Sequence, residues 1–280
     1  MKYLTRQICK MAAGIVLAVV SLSSCSVKED RWPCPCYLIF KPGEGIDLNE
    51  PGGFTAAVYT EAAKELSVDL TWRQIRDDDY TVGVSKGEKY VTTLIGQNKD
   101  YISGQSLLIV KGNQQDSIYA NALPVSCTGE VAEVPVEKYK QFSTVFLQLE
   151  DGGMEFPYFV KVKSNIDGIN LMTLEPTLGE FYFEPQPVNG IKSRFEFRLP
   201  RQLEKYADEL VLEIWVRAAN RQEQDRLVDK LPLGKMILDS HHDWTKQSLD
   251  DIFIGIDYAQ AVTQININDW IIEWHGNFEI

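Results

Sequence analysis

Leu66-Ser67-Val68-Asp69-Leu70-Thr71-Trp72 alternates apolar and polar residues without a break. Successive side chains of a strand point to opposite faces, so this pattern gives one face to a core and one to water. The pattern recurs along the chain. Phe195, Phe197 and Leu199 alternate with Arg194, Glu196 and Arg198; Leu210, Leu212, Ile214 and Val216 share a face, as do Ile252, Ile254, Ile256 and Tyr258. Val82 with Val84, Val134 with Val136, and Val145, Leu147 and Leu149 repeat it in shorter form. Ser85-Lys86-Gly87-Glu88, Lys111-Gly112-Asn113 and Asn165-Ile166-Asp167-Gly168 read as turns between them. Closely spaced strands with short polar turns predict an all-β chain of antiparallel sandwiches. The lack of βαβ alternation argues against a doubly wound sheet.

Two stretches read more than one way. Ala56–Leu66 places Val58, Ala62 and Leu66 four apart, as a helix would, yet also fits a strand turning at Glu61–Lys64. Asn220–Leu231 is polar and fits a short helix or an exposed loop. Asp151-Gly152-Gly153-Met154 follows a strand ending at Leu149 and is the expected domain boundary. The expectation is therefore one β-sandwich over 37–150 and a second over 155–280.

The first 24 residues are of another kind. Lys2, Arg6 and Lys10 precede an apolar run, Met11 to Leu22, and Leu22-Ser23-Ser24-Cys25 follows as a lipobox. The run is shorter than the roughly 20 apolar residues of a membrane span and matches a signal peptide over 1–24. Cys25 is then the expected lipid attachment point, and 25–36 the lipidated N-terminus and tether. Acyl chains contribute about 0.8 kcal/mol per buried methylene, enough for several on one cysteine to hold a membrane. Losing the signal removes three basic residues and no acidic one, which takes the net charge from −12 to −15. Such a surface argues against nucleic acid and against adhesion to anionic lipid through basic patches.

Cys34, Cys36 and Cys127 remain in an exported, oxidising setting. At most one bridge can form among three. Cys34 and Cys36 are too close to bridge each other comfortably on a strand. A bridge from one of them to Cys127 and three buried thiols are both open readings.

Chemistry-bearing patterns are sparse. His241-His242-Asp243 is the one polar cluster with ligand-like residues, but adjacent strand histidines face opposite ways, and a surface loop is expected. Asp77-Asp78-Asp79 lacks the glycine and distal glutamate of a calcium loop and reads as a solvated turn. No nucleophile elbow, phosphate loop, zinc-protease motif or dinucleotide fingerprint is present. No enzyme, metal or cofactor is expected. Six tryptophans, twelve tyrosines and twelve phenylalanines could line a glycan platform, though strand aromatics usually fill cores. Near the C-terminus, Ile272, Trp274, Phe278 and Ile280 alternate with Glu273, His275, Asn277 and Glu279. This apolar face is the candidate partner strand; the alternative is an ordinary edge strand.

Taken in order, several stretches resemble the FimB-like family of anchor subunits from Bacteroides-type (type V) fimbriae. These are Leu22-Ser23-Ser24-Cys25, Glu29-Asp30 with Cys34-Pro35, Tyr80-Thr81-Val82-Gly83-Val84 with Gly87-Glu88-Lys89-Tyr90, and Ile265-Asn266-Ile267-Asn268-Asp269-Trp270. Ala57-Val58-Tyr59-Thr60 stands where members often carry a strand with Phe-Asp. The resemblance implies two tandem transthyretin-like antiparallel β-sandwich domains. It also implies a surface-exposed, outer-membrane lipoprotein at the fimbrium base that anchors the fibre and limits its length. The implied partner is a stalk pilin, joined by strand sharing. A tip or accessory pilin and a surface glycan-binding lipoprotein are the alternatives.

Overall fold

The computed structural model describes residues 34–150, 158–218, 224–257, 262–267 and 270–275. Cys25, the Asp151–Met154 link, Phe278 and Ile280 lie outside the described residues. In the first half, β1 (Cys36–Pro42) lies between β4 (Val82–Val84) and β9 (Val131–Val136). The facing sheet has the order β3 (Lys64–Thr71), β2 (Gly53–Tyr59), β5 (Gly87–Ile95) and β8 (Tyr119–Cys127). Leu38, Phe40, Val84, Val134 and Val136 meet Phe54, Val58, Leu70, Val91 and Val125 in one core. Each such side chain contributes about 1.5–3 kcal/mol when fully buried, so the alternation read from sequence is what holds the sheets together.

The Ala56–Leu66 ambiguity resolves into strands β2 and β3, paired antiparallel with Ala57 opposite Ser67. Trp72 does not continue β3. It opens α1 (Trp72–Arg76), where Thr71 and Gln74 form a capping box: Thr71 Oγ1 accepts from the Gln74 N–H at 3.2 Å, and Gln74 Oε1 from the Thr71 N–H at 2.9 Å. Asp77 caps the far end, so the aspartate run is a turn, as expected.

In the second half, one sheet has the order β13 (Arg194–Pro200), β10 (Phe142–Glu150), β16 (Ile252–Asp257), β17 (Val262–Ile267) and β18 (Trp270–His275). The other is built on β11 (Phe159–Asn170), which pairs with β12 (Pro176–Phe183) and β14 (Val211–Val216). β15 (Arg226–Leu231) flanks β14, which corrects the helix-or-loop reading over those residues. α2 (Leu233–Asp239) then buries Leu233, Met236 and Ile237 against the core. Asn165–Gly168 is not a turn. It lies within β11, whose register shifts there twice, so turn-type residues mark bulges rather than a reversal.

Two expectations about architecture change. The sheets are mixed, since β1 runs parallel to β9 and β10 parallel to β16. The boundary after Leu149 is also misplaced. β10 pairs with β13 and β16, and its Val145, Leu147 and Leu149 share a core with Val160 and Val162. The change of core therefore falls between Val136 and Val145. In the opposite sense, β6 (Tyr101–Ser103) and β7 (Ser106–Leu108) leave the first half, and β7 pairs with the end of β11. A third cluster follows from this exchange: Ala57, Tyr59, Leu94 and Ile118 pack with Leu107, Ile169 and Leu171. It covers the second face of β2, where Ala56 to Tyr59 are buried without alternation.

Candidate interaction surfaces

Among the described residues no group of three His, Cys, Asp or Glu side chains could hold a metal ion. Ser143 Oγ lies 3.3 Å from His242 Nε2, but both side chains are sealed in the core and Nδ1 has no partner. Burial pushes the imidazole down to about 4, and the ring packs edge-on against Trp244 at 4.3 Å. This contact lacks both an orienting acid and access for substrate. The His241–Asp243 segment is a loop with His241 and Asp243 exposed, as expected, but the His242 side chain turns into the core. Its neighbour His241 holds a left-handed backbone, φ 62°.

Asp116 Oδ2 accepts from the backbone N–H groups of Asn98, Lys99 and Asp100 at 2.9, 2.5 and 2.8 Å. Asp100 Oδ2 in turn accepts from the Asp116 N–H at 3.2 Å. Burial, and then the Asp116 charge, pushes the Asp100 carboxyl up to about 7. The reciprocal bonds fix the loop entering the β6–β7 hairpin, a structural task that sequence spacing did not reveal.

The three cysteines separate by position. Cys34 is exposed, whereas Cys36 and Cys127 are fully buried in the same core. Both are free thiols in this structure. Beside them Lys89, only 3% exposed, binds Glu65 Oε2 at 2.7 Å and donates to Ser85 Oγ at 2.7 Å.

The surfaces open to a partner are sheet edges and aromatic patches. β18 pairs with β17 and with no other described strand, so it ends its sheet. Ile254 stands opposite Ile265, and Ile265 opposite Ile272, forming one cross-strand row; Trp274 stands opposite Thr263. Ile272 and Trp274 therefore lie on the strand that ends this sheet among the described residues, in register with the row that begins at Ile254. An edge strand offers unpaired N–H and C=O groups to another chain. Phe146 and Phe253 stack at 4.7 Å on adjacent strands, and Phe253 is 49% exposed. A groove of about 240 Å³ is lined by Ile46, Asp47, Glu50, Gly52, Trp72 and Lys138.

No protein-family model matches the chain, and no curated protein matches it in sequence. Its fold is nonetheless that of several solved structures. A candidate polysaccharide-binding protein from Bacteroides thetaiotaomicron superposes with a TM-score of 0.59 at 11% identity, over 87% of this chain and 100% of that one. The fimbrial anchor protein Mfa2 from Porphyromonas gingivalis gives 0.52 at 13%, over 85% and 99%. A candidate adhesin from Bacteroides thetaiotaomicron gives 0.51 at 14%, over 86% and 98%. At these identities the likeness is one of fold, and it runs through both halves.

Proposed function

We propose that the chain is a lipoprotein of the outer membrane that anchors a fimbria at the cell surface and limits its length. The observation that carries this reading is the likeness in fold to a fimbrial anchor protein, over 85% of this chain and 99% of that one. The lipobox at Cys25 supplies the means of attachment, and β1 begins at Cys36, so a short tether separates lipid from fold. In this reading the two halves are tandem transthyretin-like sandwiches that have exchanged a hairpin. The stalk pilin joins by strand sharing along β18, with Ile272, Trp274, Phe278 and Ile280 as the partner face. Main-chain hydrogen bonds supply affinity there, and pockets for alternate side chains supply specificity. Interfaces of this kind need no catalytic group.

The test is cellular. Removing the protein should shed fimbriae into the medium and lengthen them. Restoring it as Cys25→Ala should fail to hold them. Fimbriae of normal length still attached in the absence of the protein would refute the anchor role.

A second reading, a surface glycan-binding lipoprotein, draws on the Trp72 groove and on the exposed Phe253, stacked on the partly buried Phe146. Binding to a glycan array that is lost in Trp72→Ala or Phe253→Ala would favour it over pilin binding.

A further inference from the structure

We propose that Cys36 and Cys127 form a disulfide in the exported protein, leaving Cys34 as the one unbridged thiol of the three. The inference rests on placement. Cys36 opens β1 opposite Val84, and Cys127 closes β8 opposite Gly87. Val84 and Gly87 flank the Ser85-Lys86 link between β4 and β5, so both cysteines sit at the same end of the sandwich, on facing sheets. The Tyr37 N–H bonds the carbonyl of Glu130 at 2.8 Å, which brings the start of β1 against the turn that follows Cys127. Both side chains are fully buried in one core, as free thiols in this structure.

The fold also dictates when the bond forms. Burial and the neighbouring Cys36 push the Cys127 thiol up to about 12, so the folded protein presents almost no thiolate there. Both sulfurs are also sealed from solvent in the folded protein, out of reach of an oxidant, so the bond closes as the sandwich assembles. One cysteine thiolate attacks a disulfide-bearing oxidant, either glutathione disulfide or the active disulfide of an oxidoreductase, and releases one of its sulfurs as a thiol. The second cysteine thiolate attacks the mixed disulfide and releases the other. The two cysteine protons end on the two sulfurs of the oxidant, which leaves reduced by two electrons. The bond closes a loop of about ninety residues, a span for which loop-closure stabilisation is near its largest. Its mechanical value, which rests on the anchor reading, is that β1 is where tension from a lipid at Cys25 would enter the fold.

The experiment is a thiol map of the full-length protein. Membranes are dissolved in denaturant with an alkylating agent, and peptides are mapped before and after reduction. The expected result is an alkylated Cys34 and a Cys36–Cys127 crosslinked peptide lacking two hydrogens. In purified protein, reduction should lower the unfolding midpoint by about 5 °C or more. Alkylation at all three cysteines, or a crosslink through Cys34, overturns the proposal. The map is independent of fimbrial shedding, so failure of the bond and failure of the anchor reading are told apart.

Discussion

Arg201 donates from Nη2 to Oε1 of Gln141 at 2.9 Å, with both side chains buried. Gln141 Nε2 reaches the carbonyls of Tyr139, Gln247 and Ala120 at 3.1, 3.2 and 3.3 Å. Arg201 also binds the carbonyls of Trp244, Lys246 and Gln247. The pair ties the passage between the halves to the end of β13 and to the loop after α2. Removing the guanidinium leaves several buried carbonyls unpaired, so Arg201→Met should cost about 3 kcal/mol. Arg201→Lys should restore little of that, because a point-like ammonium cannot span the same acceptors. Urea unfolding of the two variants measures both effects.

Gly168 carries the contact between β11 and the β6–β7 hairpin. A Cβ added there would lie 2.1 Å from the carbonyl oxygen of Leu107. Backbone cannot yield as a flexible side chain would, so Gly168→Val should destabilise by about 2–3 kcal/mol. Hydrogen exchange should quicken first at residues 101–108. Uniform quickening across both halves would show that the hairpin is not the weak point.

Two buried groups set opposite pH limbs. His242 is held at about 4, below its ordinary 6.5, so its stabilising contribution is full above 6.5 and is lost as pH falls toward 4. Asp100 is held near 7, above its ordinary 3.8, so its contribution is full below 3.8 and is lost as pH rises through 7. Asp100→Asn keeps the acceptor for the Asp116 N–H without the charge. It should raise the unfolding midpoint at pH 8 by about 2–4 °C relative to its effect at pH 4. His242→Leu should flatten the decline between pH 6.5 and 4. Parallel melting curves for wild type and both variants would overturn these assignments.

Deleting residues 276–280 tests the partner strand. If Phe278 and Ile280 serve a pilin, binding to purified stalk pilin should fall at least tenfold while the unfolding midpoint stays within about 2 °C. Buried aromatic anchors commonly contribute 2 kcal/mol or more to an interface. A large drop in the midpoint would instead assign the segment to the chain's own second sheet, in line with the cross-strand row from Ile254 through Ile272.

Strand identity was legible in the sequence wherever one face meets a core and the other meets water. Leu66 to Leu70, Phe195 to Leu199 and Ile252 to Ile256 are strands for that reason. The alternation failed where its physical basis failed. Ala56 to Tyr59 are buried on both faces, because a hairpin from elsewhere in the chain covers the side away from the sandwich core. Asn165 and Gly168 carry turn chemistry but serve bulges, since a twelve-residue strand that serves three partners must bend.

By itself the sequence determined a mostly β chain with an acidic net charge and no recognisable catalytic motif. These are local properties, set by side-chain period, charge and short spacing. Only the tertiary structure decided that β10 belongs to the second core, that β7 joins β11, that His242 is buried, and that Cys36 rather than Cys34 meets Cys127. The reason is physical. A strand's pattern states how many of its faces need cover, but the identity of the covering element is fixed by pairing between distant segments. That pairing depends on the packing of the whole chain.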